Sequence, residues 1–199
     1  MTAFSCSSFQ RQPDLSWIKD VGARSIPSSK TIILVNDFGA IADGVTMNTA
    51  AIQRAIDHCA AKGGGTVTFL PGKYLSGSLF VKEGVRFQVP VGVVLLGSTL
   101  ISDYPDIPTR VAGVEMIWPA ALVNVIGQKN VQVTGDGIIH GQGKVFWDAY
   151  WALRKEYEPQ GLRWIVDYDS KRPRTLLVSE STDVTVSDLT FQQAGFWTI

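Results

Sequence analysis

The segment LVNVIGQKNVQVTGDGIIHG, residues Leu122–Gly141, alternates apolar and polar side chains between turn-forming residues, and a later segment repeats its pattern. In LLVSESTDVTVSDLTF, residues Leu176–Phe191, Val184 stands where the first segment has Val131. Alternation with a period of two is typical of strands that bury one face. A strand pattern that recurs along one chain indicates a repeat architecture.

The spacing of the two segments predicts the kind of repeat. Val133 and Val186 are also equivalent, Asn130 and Asp183 share one turn position, and the stretch 144–174 does not follow the pattern. When that stretch is left out, equivalent positions recur at a period of roughly 20 to 25 residues, which is typical of one coil of a parallel β-helix with several short strands. We therefore predict an all-β chain, a right-handed parallel β-helix (solenoid), with an insertion at about residues 144–174 and almost no helix beyond residue 65.

The N-terminal part of the sequence supplies a cap for this solenoid. Asn48 or Thr49 can cap a helix whose apolar residues fall on one face, and residues 63–65, three glycines, end it. The helix would cover the strand edges of the first coil. Residues 1–30, rich in Ser, Gln and Pro, are expected to be a leader that is poorly ordered or packed on the body, whereas residues 31–199 form the coils.

The other end of the sequence carries no comparable cap. The stretch FQQAGFWTI, residues 191–199, follows a strand pattern directly, without a closing helix or a polar terminal segment. We therefore expect the β-helix to be truncated at its C-terminal end.

Composition and charge exclude several classes of partner. The chain of 199 residues has 18 basic and 18 acidic side chains and no long run of either sign, so we expect no nucleic-acid partner. No apolar run reaches the roughly 18 residues that a membrane span needs, so we expect no membrane partner. Two cysteines, Cys6 and Cys59, make neither a disulfide framework nor a metal cluster. We expect no cofactor and no metal site.

Three stretches resemble the polygalacturonase family of pectin-degrading glycoside hydrolases, which has the pectin-lyase-like β-helix. NDFGAIADGVTMNTAAIQRAIDHCAAKGGGTVTFLPGKYLSGSLFVKEGVRFQVPVGVVLLGS (residues 36–98) is similar to the N-terminal region of that family, NVQVTGDGIIHGQGKVFW (residues 130–147) to the rung that follows, and RPRTLLVSESTDVTVSDLTFQQAGFWTI (residues 172–199) to the segment before the catalytic rungs. The resemblance implies inverting hydrolysis of α-1,4-linked galacturonate without a metal, a pectic oligo- or polysaccharide as substrate, and a monomer when complete. Members of the family are often exported, but the start MTAFSCSSFQRQPD shows no signal peptide, so the location stays open.

The family's catalytic motifs do not occur in this sequence. They are an Asn-Thr-Asp-like motif, an Asp-Asp pair, a Gly-His-Gly and an Arg-x-Lys, and none is present among the 199 residues. We therefore name no catalytic residue and predict that the isolated chain is inactive. Asp167 and Asp169 would share one face at roughly 7 Å if they lay on a strand, but we favour solvated acids beside basic neighbours. His140 is interpreted as a structural turn residue.

Four side chains are candidates for binding the substrate. Trp147 and Trp151 offer aromatic faces to a sugar ring, and Arg172 and Arg174 could pair with uronate carboxylates. The competing interpretation is that the aromatic residues only fasten the insertion to the solenoid. The pair Phe196 and Trp197 is interpreted as a structural wedge.

Two other functions remain open at this stage. A β-helix polysaccharide lyase would use Ca²⁺ held by acidic side chains on adjacent rungs, and the sequence offers no such cluster. A non-enzymatic carbohydrate-binding β-helix, such as an adhesin or a tailspike, would need no catalytic residues.

Overall fold

The computed structural model describes residues 14–199, which contain fifteen strands and three α-helices. In chain order the strands are β1 (Ile32–Leu34), β2 (Asp43–Met47), β3 (Gly65–Thr68), β4 (Gly72–Ser76), β5 (Leu79–Phe80), β6 (Val85–Gln88), β7 (Val93–Gly97), β8 (Asp106–Val111), β9 (Val114–Pro119), β10 (Val123–Ile126), β11 (Lys129–Thr134), β12 (Ile138–His140), β13 (Leu176–Ser179), β14 (Thr182–Ser187) and β15 (Thr190–Gln192). The helices are α1 (Thr49–Ala61), α2 (Lys144–Tyr157) and α3 (Val166–Asp169).

Three parallel sheets run along the solenoid. The first has the order β1-β3-β6-β11-β14, the second β15-β12-β7-β4-β2, and the third β13-β10-β5. The strands of a sheet come from successive coils, so each coil contributes one strand to each of several sheets. This stacking of parallel strands from successive coils confirms the predicted parallel β-helix.

The repeat that predicted the fold is present as strand register. Val131 pairs with Val184 and Val133 pairs with Val186 between β11 and β14. Asn130 and Asp183, at the shared turn position, both have left-handed φ values, of 57° and 54°. Short polar side chains tolerate this conformation better than most residues, which explains why Asn and Asp recur there.

Coils without an excursion have the predicted length. Val67 pairs with Phe87 in the first sheet, and Lys73 pairs with Val94 in the second. Both pairs are separated along the chain by one period of the predicted repeat. Longer separations arise where the chain leaves the coil: the antiparallel hairpin β8–β9 adds residues before β10, and the helical residues 144–169 add residues before β13.

Rows of apolar side chains stacked from coil to coil form the core. In the second sheet Tyr74, Leu95 and Ile139 occupy one row, paired in register, and all three are fully buried. Burying each such side chain contributes about 1.5–3 kcal/mol. Because every strand alternates its side chains, the opposite positions point away from the core.

Helix α1 caps the first coil as expected. Its buried face carries Ile52, Ile56 and Cys59, which lie in the main core cluster. The Asn48 side chain bonds the chain before the helix, because its Nδ2 donates to the carbonyl of Ile41 at 3.0 Å. The cap residue therefore fixes the approach of the chain rather than the first helical turn.

A second long helix corrects one sequence interpretation. The sequence beyond residue 65 indicated almost no further helix, but α2 has 14 residues, of which Phe146 and Tyr150 are buried. Aromatic residues four apart lie on one helix face, and this spacing was visible in the sequence. No helix in residues 14–199 is both long and apolar enough to cross a membrane.

The predicted leader is described only in part. Residues 1–13, with Cys6, lie outside the described residues, so the leader over residues 1–30 stays a prediction. The described part contacts the first sheet: the backbone N–H of Arg24 donates to Asp183 Oδ1 at 2.8 Å, and Arg86 Nη2 donates to the carbonyl of Pro27 at 3.1 Å.

Substitution of Gly135 tests how closely neighbouring coils approach each other. A Cβ at this position would lie 2.1 Å from the carbonyl oxygen of Val89, and its φ is +119°. We expect Gly135→Ala to lower the free energy of unfolding by about 2–4 kcal/mol, because strained backbone and overpacking add. Gly161→Ala is the matched control: its φ is +74° but nothing lies within 4 Å of the new Cβ, so a loss of only about 1 kcal/mol is expected. Urea unfolding measures both, and equal losses would contradict a close approach of coils at Gly135.

Candidate functional site

Two segments leave the solenoid at the same corner: the hairpin β8–β9, residues 106–119, and the helical segment of residues 144–174. We call these two segments the excursions. Each lies between a strand of the second sheet and the next strand of the third sheet, so both stand beside β10 and β13. They contact each other, since Lys171 Nζ lies 2.5 Å from Asp106 Oδ2 and Arg174 Nη2 donates to Thr109 Oγ1 at 3.3 Å. The excursions therefore form one wall above the third sheet.

Arg172 is the centre of this wall. Its guanidinium lies over the rings of Tyr150 (4.1 Å) and Phe196 (4.6 Å), and Nη2 contacts Asp167 Oδ1 at 3.1 Å. Its backbone carbonyl accepts a hydrogen bond from the buried Trp118 indole at 3.0 Å. Burial lowers the pKa of the Arg172 guanidinium, and the Asp167 carboxylate opposes that shift. Arg172 thus joins α2, α3 and the last described segment.

Arg174 is buried with far fewer partners. It is 4% exposed, its only side-chain hydrogen bond within residues 14–199 goes to Thr109, and its Nε has no partner there. No carboxylate in that range forms a salt bridge with it, and burial lowers the pKa of its guanidinium. A buried cation without a counter-ion is costly and can pair with an anion that reaches it.

The two predicted tryptophans lie on α2, four residues apart. Trp147 Nε1 donates to the carbonyl of Ala194 at 2.9 Å, which ties the helix to the coil. Trp151 is more exposed and packs edge-on against Tyr150, with Arg154 4.9 Å from its ring centre. Trp147 therefore fastens the excursion to the coil, whereas the contacts of Trp151 lie within α2, and both rings are partly exposed to solvent.

A cavity of about 420 Å³ opens between the two excursions and the coil. Its walls are the hairpin tip at residues 111–112, the segment carrying Trp164, Asp167 and Tyr168, and residues 196–197. The described residues that line this cavity include none of the four predicted binding residues. Substrate binding by Trp147, Trp151, Arg172 and Arg174 stays a prediction.

The acidic pair considered in the sequence does not have strand geometry. Asp167 and Asp169 lie on the short helix α3, where residues two apart do not face each other. Asp167 pairs with Arg172, and Asp169 accepts a hydrogen bond from the Tyr157 hydroxyl at 2.9 Å, which raises the pKa of Tyr157. Both carboxylates hold the excursion together.

His140 has a structural contact in the described part of the chain. Its Nδ1 accepts a hydrogen bond from the backbone N–H of Gln142 at 3.1 Å, where Gln142 has a φ of 48°. No group of three His, Cys, Asp or Glu side chains in residues 14–199 is arranged to hold a metal ion.

The sequence pattern did not predict which aromatic side chains line the cavity. Trp164 and Tyr168 are not among the predicted binding residues, and Trp197 is interpreted from the sequence as a wedge. The signal is present in RWIVDYD, residues 163–169, where two aromatic residues four apart flank an acid. Their convergence with Trp197 depends on how the excursion folds back, which the sequence pattern does not specify.

Comparison with known proteins supports one fold. A family model described as rhamnogalacturonase A/epimerase, pectate lyase-like, matches residues 32–111. The family 28 exopolygalacturonase of Yersinia enterocolitica has a solved structure that is 27% identical, with a TM-score of 0.69 over 84% of this chain and 36% of that chain. This chain has a polygalacturonase-like β-helix fold.

Two curated relatives support the same similarity to polygalacturonases. An exo-poly-alpha-D-galacturonosidase of Dickeya chrysanthemi is 36% identical over 120 residues, or 56% of this chain and 20% of the relative. A probable polygalacturonase of Vitis vinifera is 29% identical over 178 residues, or 82% of this chain and 32% of the relative. The chain thus spans about a fifth to a third of these relatives, and the resemblance predicted from the sequence is confirmed.

Two further similarities concern the fold and a shorter stretch of sequence. The exopolygalacturonase of Thermotoga maritima, at 21% identity and a TM-score of 0.75 over 89% of this chain and 45% of that chain, shows the shared fold. The mannuronan C5-epimerase AlgE5 of Azotobacter vinelandii is 60% identical over 71 residues, or 34% of this chain and 7% of the relative.

Removing the charge of Arg172 and removing that of Arg174 should change the free energy of unfolding by different amounts. Arg172→Met loses two ring contacts and the pair with the partly exposed Asp167, so we expect the free energy of unfolding to fall by about 2–3 kcal/mol. Arg174→Met removes a buried charge without an acidic partner, so we expect a change below about 1 kcal/mol in either direction.

Urea unfolding followed by tryptophan fluorescence measures both variants. An equal loss of stability in Arg172→Met and Arg174→Met would show that the ring contacts and the Asp167 pair contribute nothing beyond packing.

Proposed function

We propose that this chain forms the N-terminal coils of a glycoside hydrolase that cleaves galacturonate linkages in pectic polysaccharide with inversion. The 36% identity over 120 residues to an exo-poly-alpha-D-galacturonosidase carries the proposal. The fold shared with the Yersinia enterocolitica exopolygalacturonase supports it.

Inverting hydrolysis needs two carboxyl groups on opposite faces of the sugar, about 6.5–9.5 Å apart, one to protonate the leaving oxygen and one to activate water. The sequence has neither the Asp-Asp pair nor the Asn-Thr-Asp-like motif that the resemblance would require. Asp167 and Asp169 are engaged with Arg172 and Tyr157. In this proposal the chain supplies part of the scaffold, and the catalytic carboxylates are not among its 199 residues.

The predicted binding residues fit this proposal to different degrees. Trp147 and Trp151 are partly exposed on one side of α2, where they could stack against sugar rings. Arg174 has no acidic partner in residues 14–199 but is 4% exposed, so a uronate carboxylate would pair with it only if the surrounding wall opened. Arg172 is already occupied by two rings and Asp167, so its contribution would be to hold the wall in place. The complete enzyme is proposed to be a monomer.

Epimerisation of a polyuronate is the second candidate function. The observation that favours it is the 60% identity over 71 residues to a mannuronan C5-epimerase. That match covers only 34% of this chain, whereas the probable polygalacturonase matches 82%. Incubation with mannuronan followed by proton NMR of the polysaccharide distinguishes an epimerase from a hydrolase. An epimerase creates guluronate signals without shortening the polysaccharide.

Hydrolysis is tested on two proteins. We expect the purified chain of 199 residues to release no reducing ends from polygalacturonate, because it lacks the aspartate motifs. We expect the product of a reading frame extended through the downstream coding DNA to contain those motifs, to release reducing ends, and to give products of inverted anomeric configuration by NMR. Release by the shorter chain would disprove its inactivity, and an extended product without cleavage would disprove the hydrolase assignment.

A further inference from the structure

We propose that the cavity between the two excursions and the coil binds a small uncharged phenol, an aromatic ring that carries one hydroxyl group. This site does not depend on the proposed hydrolysis, because the described residues that line the cavity include none of the four predicted sugar-binding residues. The assignment rests on the aromatic lining, on the pairing of the nearby charges, and on one carboxylate oxygen that can accept a hydrogen bond.

Aromatic and apolar side chains make up most of the cavity lining. Trp164 and Tyr168 come from the helical excursion, Phe196 and Trp197 from the last described segment, and residues 111–112 from the hairpin tip. The volume of about 420 Å³ lies within the range of about 300–1,000 Å³ for small-molecule sites. A flat aromatic ligand gains both from apolar burial and from offset or edge-on contacts with the rings of the lining. The lining therefore favours an aromatic ligand over an aliphatic one.

The tryptophan rings of the cavity are held in place by their neighbours. Trp197 stacks on Phe196 with 4.8 Å between ring centres and an angle of 11°, and Phe196 packs on the buried Trp118 at 5.6 Å. The guanidinium of Arg163 lies 4.0 Å from the ring centre of Trp164. Each tryptophan thus has one face covered and keeps its other face and its edge for a ligand. Binding to such rings costs little ordering of side chains.

The charged groups around the cavity already have partners of opposite charge. Asp167 Oδ1 lies 3.1 Å from Arg172 Nη2, and Arg163 Nε lies 4.0 Å from Glu158 Oε1. A charged ligand would lose its hydration without meeting an unopposed counter-charge among the described residues that line the cavity. An uncharged ligand avoids that cost.

The second oxygen of the Asp167 carboxylate can accept a hydrogen bond from the ligand. Asp167 lines the cavity, and no hydrogen bond within residues 14–199 uses its Oδ2. A hydrogen bond from a phenol to a carboxylate is charge-assisted and strong. The helical excursion already contains one such contact, since the Tyr157 hydroxyl donates to Asp169 Oδ2 at 2.9 Å. A ligand phenol would form the same contact with Asp167.

A sugar ring fits the lining less well than a phenol. Among the described residues that line the cavity, only Asp167 and Tyr168 have side-chain oxygens that could accept from a ligand hydroxyl. A pyranose carries several hydroxyl groups, and each one that is buried without a partner costs free energy. A phenol carries one hydroxyl group, which Asp167 satisfies.

The first experiment locates the site by NMR of the isotopically labelled chain during titration with para-ethylphenol. The chain has six tryptophans, so the indole N–H signals can be assigned with single Trp→Phe variants. We expect the signals of Trp164 and Trp197 to shift. The signal of Trp17, which is 55% exposed and lies outside the cavity lining, should stay in place. No shift of the Trp164 and Trp197 signals, or an equal shift of the Trp17 signal, would overturn the site.

Variants in the lining test the contribution of the rings. Trp164→Ala is expected to weaken binding about tenfold and Trp17→Ala, the matched control, to leave it unchanged. Trp164 is 70% exposed, so its removal spares the core. Tyr168→Ala, with the same expected effect, is the second variant should Trp164→Ala fail to fold. Wild-type affinity in the folded variants would overturn the site.

The second experiment separates the ring from the hydroxyl group with matched ligands. Ethylbenzene, which lacks the hydroxyl group, is expected to bind about tenfold more weakly than para-ethylphenol. Ethylcyclohexanol, which keeps the hydroxyl group but is not flat, is expected to bind at least about threefold more weakly. In Asp167→Ala the difference between ethylbenzene and para-ethylphenol should disappear, and comparing two ligands on one variant cancels any general effect of leaving Arg172 unpaired. Equal affinities for all three ligands in the wild-type chain would overturn the assignment of a phenol.

The third experiment tests the class of molecule that carries the ring. Methyl galactopyranoside and N-acetyltyrosine amide are both expected to bind at least about tenfold more weakly than para-ethylphenol, because their additional polar groups lack partners in the lining. Binding of the sugar as tight as that of the phenol would assign the cavity to carbohydrate. Binding of the tyrosine amide as tight as that of the phenol would assign it to a peptide. Either result would overturn the proposal.

Discussion

Register between the backbones of successive coils is the constraint on which the rest of this chain depends. The row Val67, Phe87, Val133 and Val186 runs through four strands of the first sheet, and each member pairs with the next. A shift by one residue would turn such a row out of the core. The two excursions obey the same constraint, since each leaves and returns so that the next strand resumes its place in the rows. The wall with Arg172 and the aromatic cavity exist because both excursions return at one corner.

The sequence predicted the coil better than it predicted the excursions. The equivalence of Val131 and Val184 could be recognised because the β-helix repeats one local environment, so a pattern of period two recurs at a fixed separation. The excursions have no repeat. The spacing of Phe146 and Tyr150 is compatible with one helix face, yet we predicted almost no helix in this part of the sequence, and nothing in the spacing specified that α3 would fold back towards residues 196–197.

The two arginines show that residue type alone does not predict the surroundings of a side chain. Both were candidates for binding uronate, and both are buried, yet Arg172 lies between two rings with an acid beside it while Arg174 has one hydroxyl contact. Contacts of this kind are made across segments distant in sequence, such as Thr109 and Phe196. The aromatic residues divide in the same way: Trp118 is buried in the wall, and Trp164 is open to solvent.

The segment before β1 gives the solenoid a mechanical property that its coils alone would lack. Arg24 contacts Asp183 in the outermost described strand of the first sheet, Pro27 contacts Arg86 two strands further in, and Thr31 accepts from the backbone of Thr66 in β3. This segment therefore runs across the strands rather than along them, over neighbours spaced about 4.8 Å apart. A force that pulls the coils apart along the solenoid axis acts on the contacts of this segment as well as on the hydrogen bonds between neighbouring strands. Separating the coil of β14 from the coils before it therefore breaks the hydrogen bond between Arg24 and Asp183 as well as the strand ladder.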